Sequence, residues 1–103
     1  MAGKRGGALP APVWVRFWQK VDRGPEHWRW VGAINDSGYG VIWDGSRLVY
    51  AHRLSYVLHG FAIPDGMDLD HTCFVRECVR PDHLEPVTHL VNVRRSVARR
   101  RAA

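Results

Sequence analysis

Cysteine is scarce. There are two in the chain, Cys73 and Cys78, so at most one internal disulfide is possible and a disulfide scaffold is excluded. Long apolar runs are also missing. None approaches the roughly 20 residues that a membrane-spanning helix needs. The first ten residues are glycine-rich and basic but lack the apolar centre of a secretory leader, so no export is expected. There is no internal repeat, and 103 residues suffice for one domain and leave no room for a second. A domain of this size buries only about 60–70% of the surface its unfolded chain exposes, so the core is marginal and a staple is expected. In a reducing, intracellular compartment, which is the one these absences favour, two close cysteines are more often a metal site than a disulfide.

What the sequence does have is positive charge. Lysine and arginine number 15 against 10 aspartates and glutamates. Arg94, Arg95, Arg99, Arg100 and Arg101 all fall in the last ten residues. Such a cluster favours a polyanionic partner, and nucleic acid is the expected one.

The coarse pattern is α+β. Residues 1–10 read as a flexible basic lead, with a single domain over 11–103. Pro12 can open a short helix, along which Val13, Trp14, Phe17, Trp18 and Val21 recur at helical spacing. Residues 22–26 read as a turn and 28–31 as a strand. Two further strands, 39–43 and 48–51, flank Asp44-Gly45, a strong hairpin signal. Residues 51–58 fit a helix with Leu54, Val57 and Leu58 inward, closed by Gly60. Residues 67–71 and 84–87 read as strands, the second interrupted by Pro86. Thr88 is a good N-cap for a basic helix over 89–101. Of the five tryptophans, Trp43 beside the hairpin turn is the exception to an expected place in the core.

The chemistry concentrates in one stretch. Cys73, Cys78 and His83 are separated by four residues each, with Pro81 forcing a turn between the last two. Two thiolates and an imidazole are ligands that Zn²⁺ prefers. A closed tetrahedral site needs a fourth, for which His27, His52, His59, His71 and His89 are candidates. His71 follows Asp70 at the end of an expected strand, and strand alternation separates it from the metal that Cys73 would bind. Its imidazole is then free to act as a base near neutral pH. Asn92, on the following helix, offers a neutral oxygen to a hard cation.

In this order the residues resemble the HNH endonucleases of bacteriophages and bacteria. The run DHTCFVRECVRPDHLEPVTHLVN over 70–92 carries the resemblance, supported by residues 28–33, Ser37-Gly38-Tyr39-Gly40 and Ala51-His52-Arg53. The His-x-Cys-x4-Cys-x4-His-x8-Asn spacing is also similar to that of the His-Cys box homing endonucleases. The resemblance implies a zinc-stabilised ββα-metal (His-Me finger) domain with an antiparallel hairpin. It implies His71 as general base, and Asn92 with Asp70 as ligands of a catalytic divalent ion, expected to be Mg²⁺. Cys73, Cys78 and His83 match the zinc ligands, and His27 stands where relatives carry a fourth. Arg47 matches an arginine that touches the scissile phosphate. One position departs from the family. Arg80 stands where the middle asparagine of HNH is usual; its guanidinium either braces the loop in place of the amide or leaves the site slacker and the activity lower.

The expected activity is therefore hydrolysis of phosphodiester bonds in double-stranded DNA. The hairpin with Arg47 and the helix with Arg94, Arg95 and Arg99 would bind the duplex, by a nicking monomer or a homodimer. The competing expectation is a zinc-containing DNA-binding module that is weak or inactive in catalysis, and a purely structural zinc protein with a basic tail stands behind it.

Overall fold

The computed structural model describes residues 11–102. The basic lead expected over residues 1–10 lies outside the described residues. Pro12 ends an extended approach (φ −54°, ψ 150°), and helix α1 follows over Val13–Trp18. Strands β1 (Val21–Arg23) and β2 (Trp28–Trp30) form the first of three antiparallel pairs. Residues 22–26 were expected to be a turn throughout; the turn is confined to the residues between these strands, because Asp22 and Arg23 pair with Arg29 and Trp28.

The second pair is β3 (Val41–Trp43) with β4 (Leu48–Tyr50). Between them, Asp44 Oδ1 accepts from the backbone N–H groups of Ser46 and Arg47, and Gly45 takes φ 112°. Helix α2 (Ala51–Leu58) follows directly. The third pair is β5 (Asp68–His71) with β6 (Leu84–Val87), joined by a loop that ends in a single 3₁₀ turn over Pro81–His83. Pro86 is tolerated in β6 because a two-stranded ribbon has a free edge on each strand. Helix α3 (His89–Ala102) closes the described fold. Thr88 caps it as expected, its Oγ1 accepting from Val91 N–H at 3.2 Å. Among the described residues, no helix is long and apolar enough to cross a membrane.

The core is small and sits between α1, β2, β3 and α2. Phe17, Trp30, Ile42, Ala51 and Val79 are buried together, with Trp18, Trp28, Val49 and Leu54 packed around them. Trp30 is the hub. Its ring lies 5.5 Å from that of Phe17, and its Nε1–H donates to Ala33 O at 2.9 Å. A Cβ on Gly40 would sit 2.5 Å from Trp30 Cδ1 and 3.1 Å from Ala51 Cβ, so only glycine lets α2 start this close to the indole. Trp43 is exposed, and Trp14 is exposed as well, against the expectation for it.

Helix α2 turns a different face inward from the one expected. Ala51, His52 and Ser55 are buried, whereas Val57 and Leu58 are exposed and Leu54 is only partly covered. The tight seat against Gly40 demands small residues, and Ser55 satisfies a carbonyl, that of Val79, which the core would otherwise leave unpaired. Helix α3 has no buried residue, and Asn92, Arg95 and Arg99 tie it to β5 by side-chain hydrogen bonds.

Candidate metal centre and active site

Two centres share the loop between β5 and β6. The first forms because β2 is bridged to the far side of that loop. Trp30 N–H donates to Glu77 O, and Val79 N–H donates to Trp28 O, each at 2.8 Å. This draws the residue before β2, His27, onto Cys78. At the other end of the loop, Thr72 N–H donates to His83 O at 2.8 Å, which brings Cys73 beside His83.

As a result, one ligand atom from each of His27, Cys73, Cys78 and His83 lies within 4.8 Å of all the others. Cys78 Sγ and His83 Nδ1 are 3.6 Å apart. A tetrahedral zinc with Zn–S of about 2.3 Å and Zn–N of about 2.0–2.1 Å sets its ligand atoms about 3.3–3.8 Å apart, so the cluster is close to the required size. His27 Nδ1 is buried without a hydrogen-bond partner, which a bound cation would supply. Burial, and then the neighbouring Cys78, push the Cys73 thiol above its ordinary pKa; a cation would reverse this by favouring the thiolate. The four residues therefore fit a metal ion in both spacing and chemistry.

Arg80 ties the cluster together from outside. Its Nη1 donates to Glu26 O at 2.8 Å and Pro25 O at 3.3 Å, and its Nε donates to Asp82 at 2.7 Å. The guanidinium thus clamps the turn that delivers His27 onto the loop that holds Cys78 and His83.

The second centre lies on β5. His71 is buried, and one of its ring nitrogens, Nε2, lies 3.0 Å from Cys78 O. A carbonyl can only accept, so Nε2 carries the proton and the lone pair of the neutral ring belongs to Nδ1. Burial holds the imidazole below its ordinary pKa, against the opposing pull of the Cys78 carbonyl and Asp70. The ring stacks on Tyr39 (centroids 5.8 Å) and packs against His52 (4.4 Å). His52 is pushed down to about 3, first by burial and then by His71 and Arg53. Its Nδ1 is buried and unpartnered.

His71, Asp70 and Asn92 line one cavity of about 240 Å³, together with Tyr39, Arg76 and Arg99. The oxygen donors of Asp70 and Asn92 suit a hard divalent cation there. Their present partners differ, however. Asn92 Nδ2 donates to Asp68 at 3.0 Å, and His89 lies 2.8 Å from the same oxygen. These hydrogen bonds hold the Asp68 carboxyl below its usual range. Asp70 is gripped by Arg95 and Arg99 instead. Burial raises the Asp70 pKa, but the two guanidiniums outweigh it and leave the carboxyl low.

Arg47 sits apart from this cavity. It lines a separate groove with Asp44, Tyr50 and Arg53, and its side chain is largely exposed. Arg94 is exposed on α3. Tyr39, His52 and Arg53 were not expected at the site by role, yet Tyr39 and His52 pack the His71 ring. All three also border a second cavity, of about 200 Å³, with Asp68 and Asn92. The signal for them lay in the segments Ser37-Gly38-Tyr39-Gly40 and Ala51-His52-Arg53.

Comparison with known proteins places these residues in a wider set. Residues 49–94 match the model of a family described as HNH endonuclease. "Protein 2.8" of Escherichia phage T7 is 35% identical over 77 residues, which cover 67% of this chain and 52% of that protein. "Protein 7.7" of the same phage is 34% identical over 55 residues, covering 53% of this chain and 42% of its own length. The chain thus spans about half the length of the curated relatives it matches. No solved structure matches it.

Proposed function

Residues 49–94 of this chain belong to the HNH endonuclease family, and on that premise we propose that the protein is a metal-dependent endonuclease of the ββα-metal type acting on double-stranded DNA. The observation that carries the reading is the state of His71. Its Nε2–H is donated to the Cys78 carbonyl, which leaves a lone pair on Nδ1 of a ring that lines the same cavity as Asp70 and Asn92.

His71 then takes a proton from water. The water oxygen attacks the phosphorus in line, the bond from phosphorus to the 3′ oxygen breaks, and the departing 3′ oxygen takes a proton from solvent water while the water oxygen stays on the 5′-phosphate. Asp70 and Asn92 would hold a divalent ion, Mg²⁺ by preference for oxygen donors, which would supply positive charge to the phosphodiester. Tyr39 and His52 hold the His71 ring in plane. His27, Cys73, Cys78 and His83 would hold a structural zinc, which would fix the loop carrying the Cys78 carbonyl and with it the His71 tautomer. Arg94 on α3 and Arg47 on the hairpin neutralise DNA phosphates away from the cut, which gives binding that is strong at low salt and weakly dependent on sequence.

A plasmid-nicking assay tests the proposal. Relaxation of supercoiled DNA is expected with Mg²⁺ and is expected to vanish with EDTA. A salt-sensitive gel shift with no nicking under any divalent ion would point instead to a zinc-stabilised DNA-binding module.

A further inference from the structure

Asp70, as a cation ligand, and Arg99, as one of the arginines expected to bind the duplex, cannot both act while they hold their present partners. Arg99 Nη1 donates to Asp70 Oδ1 and Arg99 Nη2 to Oδ2, each at 2.9 Å, and Arg95 Nη1 adds a third bond at 3.1 Å. The carboxylate is only 5% exposed, so its two oxygens are closed to a cation in this arrangement. Arg99 in turn spends on Asp70 the two-nitrogen edge with which a guanidinium grips a phosphate. The ring of Phe74 lies 4.1 Å from the Arg99 guanidinium carbon and pins its flat face. Arg95 is shared with Glu85 at 2.7 Å. Two positive charges thus stand where the proposed dication would bring the same charge, and they keep a buried carboxylate compensated.

Resting on the nuclease reading, we propose that DNA and the divalent cation bind this site in sequence by an exchange of partners. A phosphodiester takes Arg99 and Arg95 away from Asp70, and the released carboxylate completes the cation site with Asn92. Without DNA, the arginine pair holds the cation's place. Coupling of this kind is reciprocal: DNA strengthens cation binding by the same factor by which the cation strengthens DNA binding. Arg95 and Arg99 are positioning residues in this scheme, because they act on the reaction through Asp70.

The test reads cation binding rather than cleavage. The zinc-loaded full chain carrying His71→Ala, so that the duplex stays intact, is titrated with Mn²⁺, and free Mn²⁺ is followed by electron paramagnetic resonance, with uptake by the duplex alone subtracted. Without duplex, the additional pair Arg95→Gln and Arg99→Gln is expected to tighten Mn²⁺ uptake by about tenfold or more, within the usual range of site coupling. Adding duplex is expected to tighten uptake by a similar factor when the arginines are present and to change little when they are absent. Asp70→Asn should abolish both gains, which separates the carboxylate site from a general effect of removing positive charge. Equal Mn²⁺ uptake with and without the two arginines in the absence of duplex overturns the exchange. If the double variant does not melt cooperatively, Arg99→Lys, which keeps the charge and breaks the fork, must shift uptake in the same direction, and no shift overturns the exchange. A parent that fails to nick plasmid with Mg²⁺ defeats the nuclease reading itself. A parent that nicks, with uptake indifferent to duplex and to Arg99→Lys, defeats the exchange alone.

Discussion

Removing the Arg80 guanidinium should weaken the hold of the His27–Cys73–Cys78–His83 cluster on the proposed zinc. Arg80→Ala deletes the bond to Glu26 O at 2.8 Å, the longer one to Pro25 O at 3.3 Å and the ion pair with Asp82. A hydrogen bond from a charged donor is worth about 1.5–3 kcal/mol when shielded from water. Arg80 is 30% exposed, so the bond to Glu26 falls at the lower end of that range. The Pro25 contact is near the distance limit, and the ion pair with Asp82, itself largely exposed, adds at most about 0.5 kcal/mol. The expected loss is about 2 kcal/mol. In a domain this small, zinc binding and folding are one equilibrium, because the ligands meet only in the folded chain. The loss therefore appears in zinc affinity as a weakening of about 10–30-fold, at about 1.4 kcal/mol per factor of ten. Titration of the zinc-loaded protein with a colorimetric chelator measures it directly. A variant that releases zinc at the same chelator concentration as the parent would refute the clamp, and with it the idea that Arg80 replaces the usual asparagine by holding the His27 turn.

Two further outcomes follow from the same geometry. Cys73→Ser removes one of four clustered ligands, and since a structural zinc contributes about 10–16 kcal/mol of apparent binding energy, more than a small domain's net stability, the variant should show no cooperative melt; a melt like the parent's would argue against a structural ion. The folded-state pKa of His52, about 3, lies below the ordinary 6.5, so the unfolded chain binds the extra proton first. Its contribution is fully present above pH 6.5 and is lost as pH falls towards 3, with a slope of up to about 1.4 kcal/mol per pH unit. His71, Asp68 and Asp70 also lose stability on acidification, so denaturant melts across that window should fall more steeply in the parent than in His52→Phe, by up to this slope, and equal slopes in the two would remove the buried neutral imidazole from the account.

Much of the scaffold was legible in the chain because it is local. Asp44-Gly45 announced the β3–β4 hairpin, the Thr88 cap announced α3, and the spacing of residues 51–58 gave the bounds of α2. The four side chains whose ligand atoms cluster closely enough to hold a metal ion were legible too, His27 through the family resemblance. What escaped depends on contacts across the fold. The inward face of α2 is set by its tight seat on Gly40 and by the Val79 carbonyl, and neither is visible in the helix's own periodicity, which favoured Val57 and Leu58. Strand β1 escaped because its two polar residues form a strand only by pairing with Arg29 and Trp28. The pairing of Asn92 with Asp68, and of Asp70 with Arg95 and Arg99, follows from how α3 lies along β5, where Asp68 and Asp70 share one face of the strand. The spacing of the motif specifies which residues converge, but it does not specify which partner each one holds before substrate arrives.

The most direct measurement is plasmid nicking by the parent and by His71→Ala, run beside zinc content and duplex binding on the same preparations. Loss of nicking in the variant, with zinc content and duplex affinity matching the parent, is the expected result. A His71→Ala protein that nicks at the parental rate contradicts the assignment of this imidazole as the base.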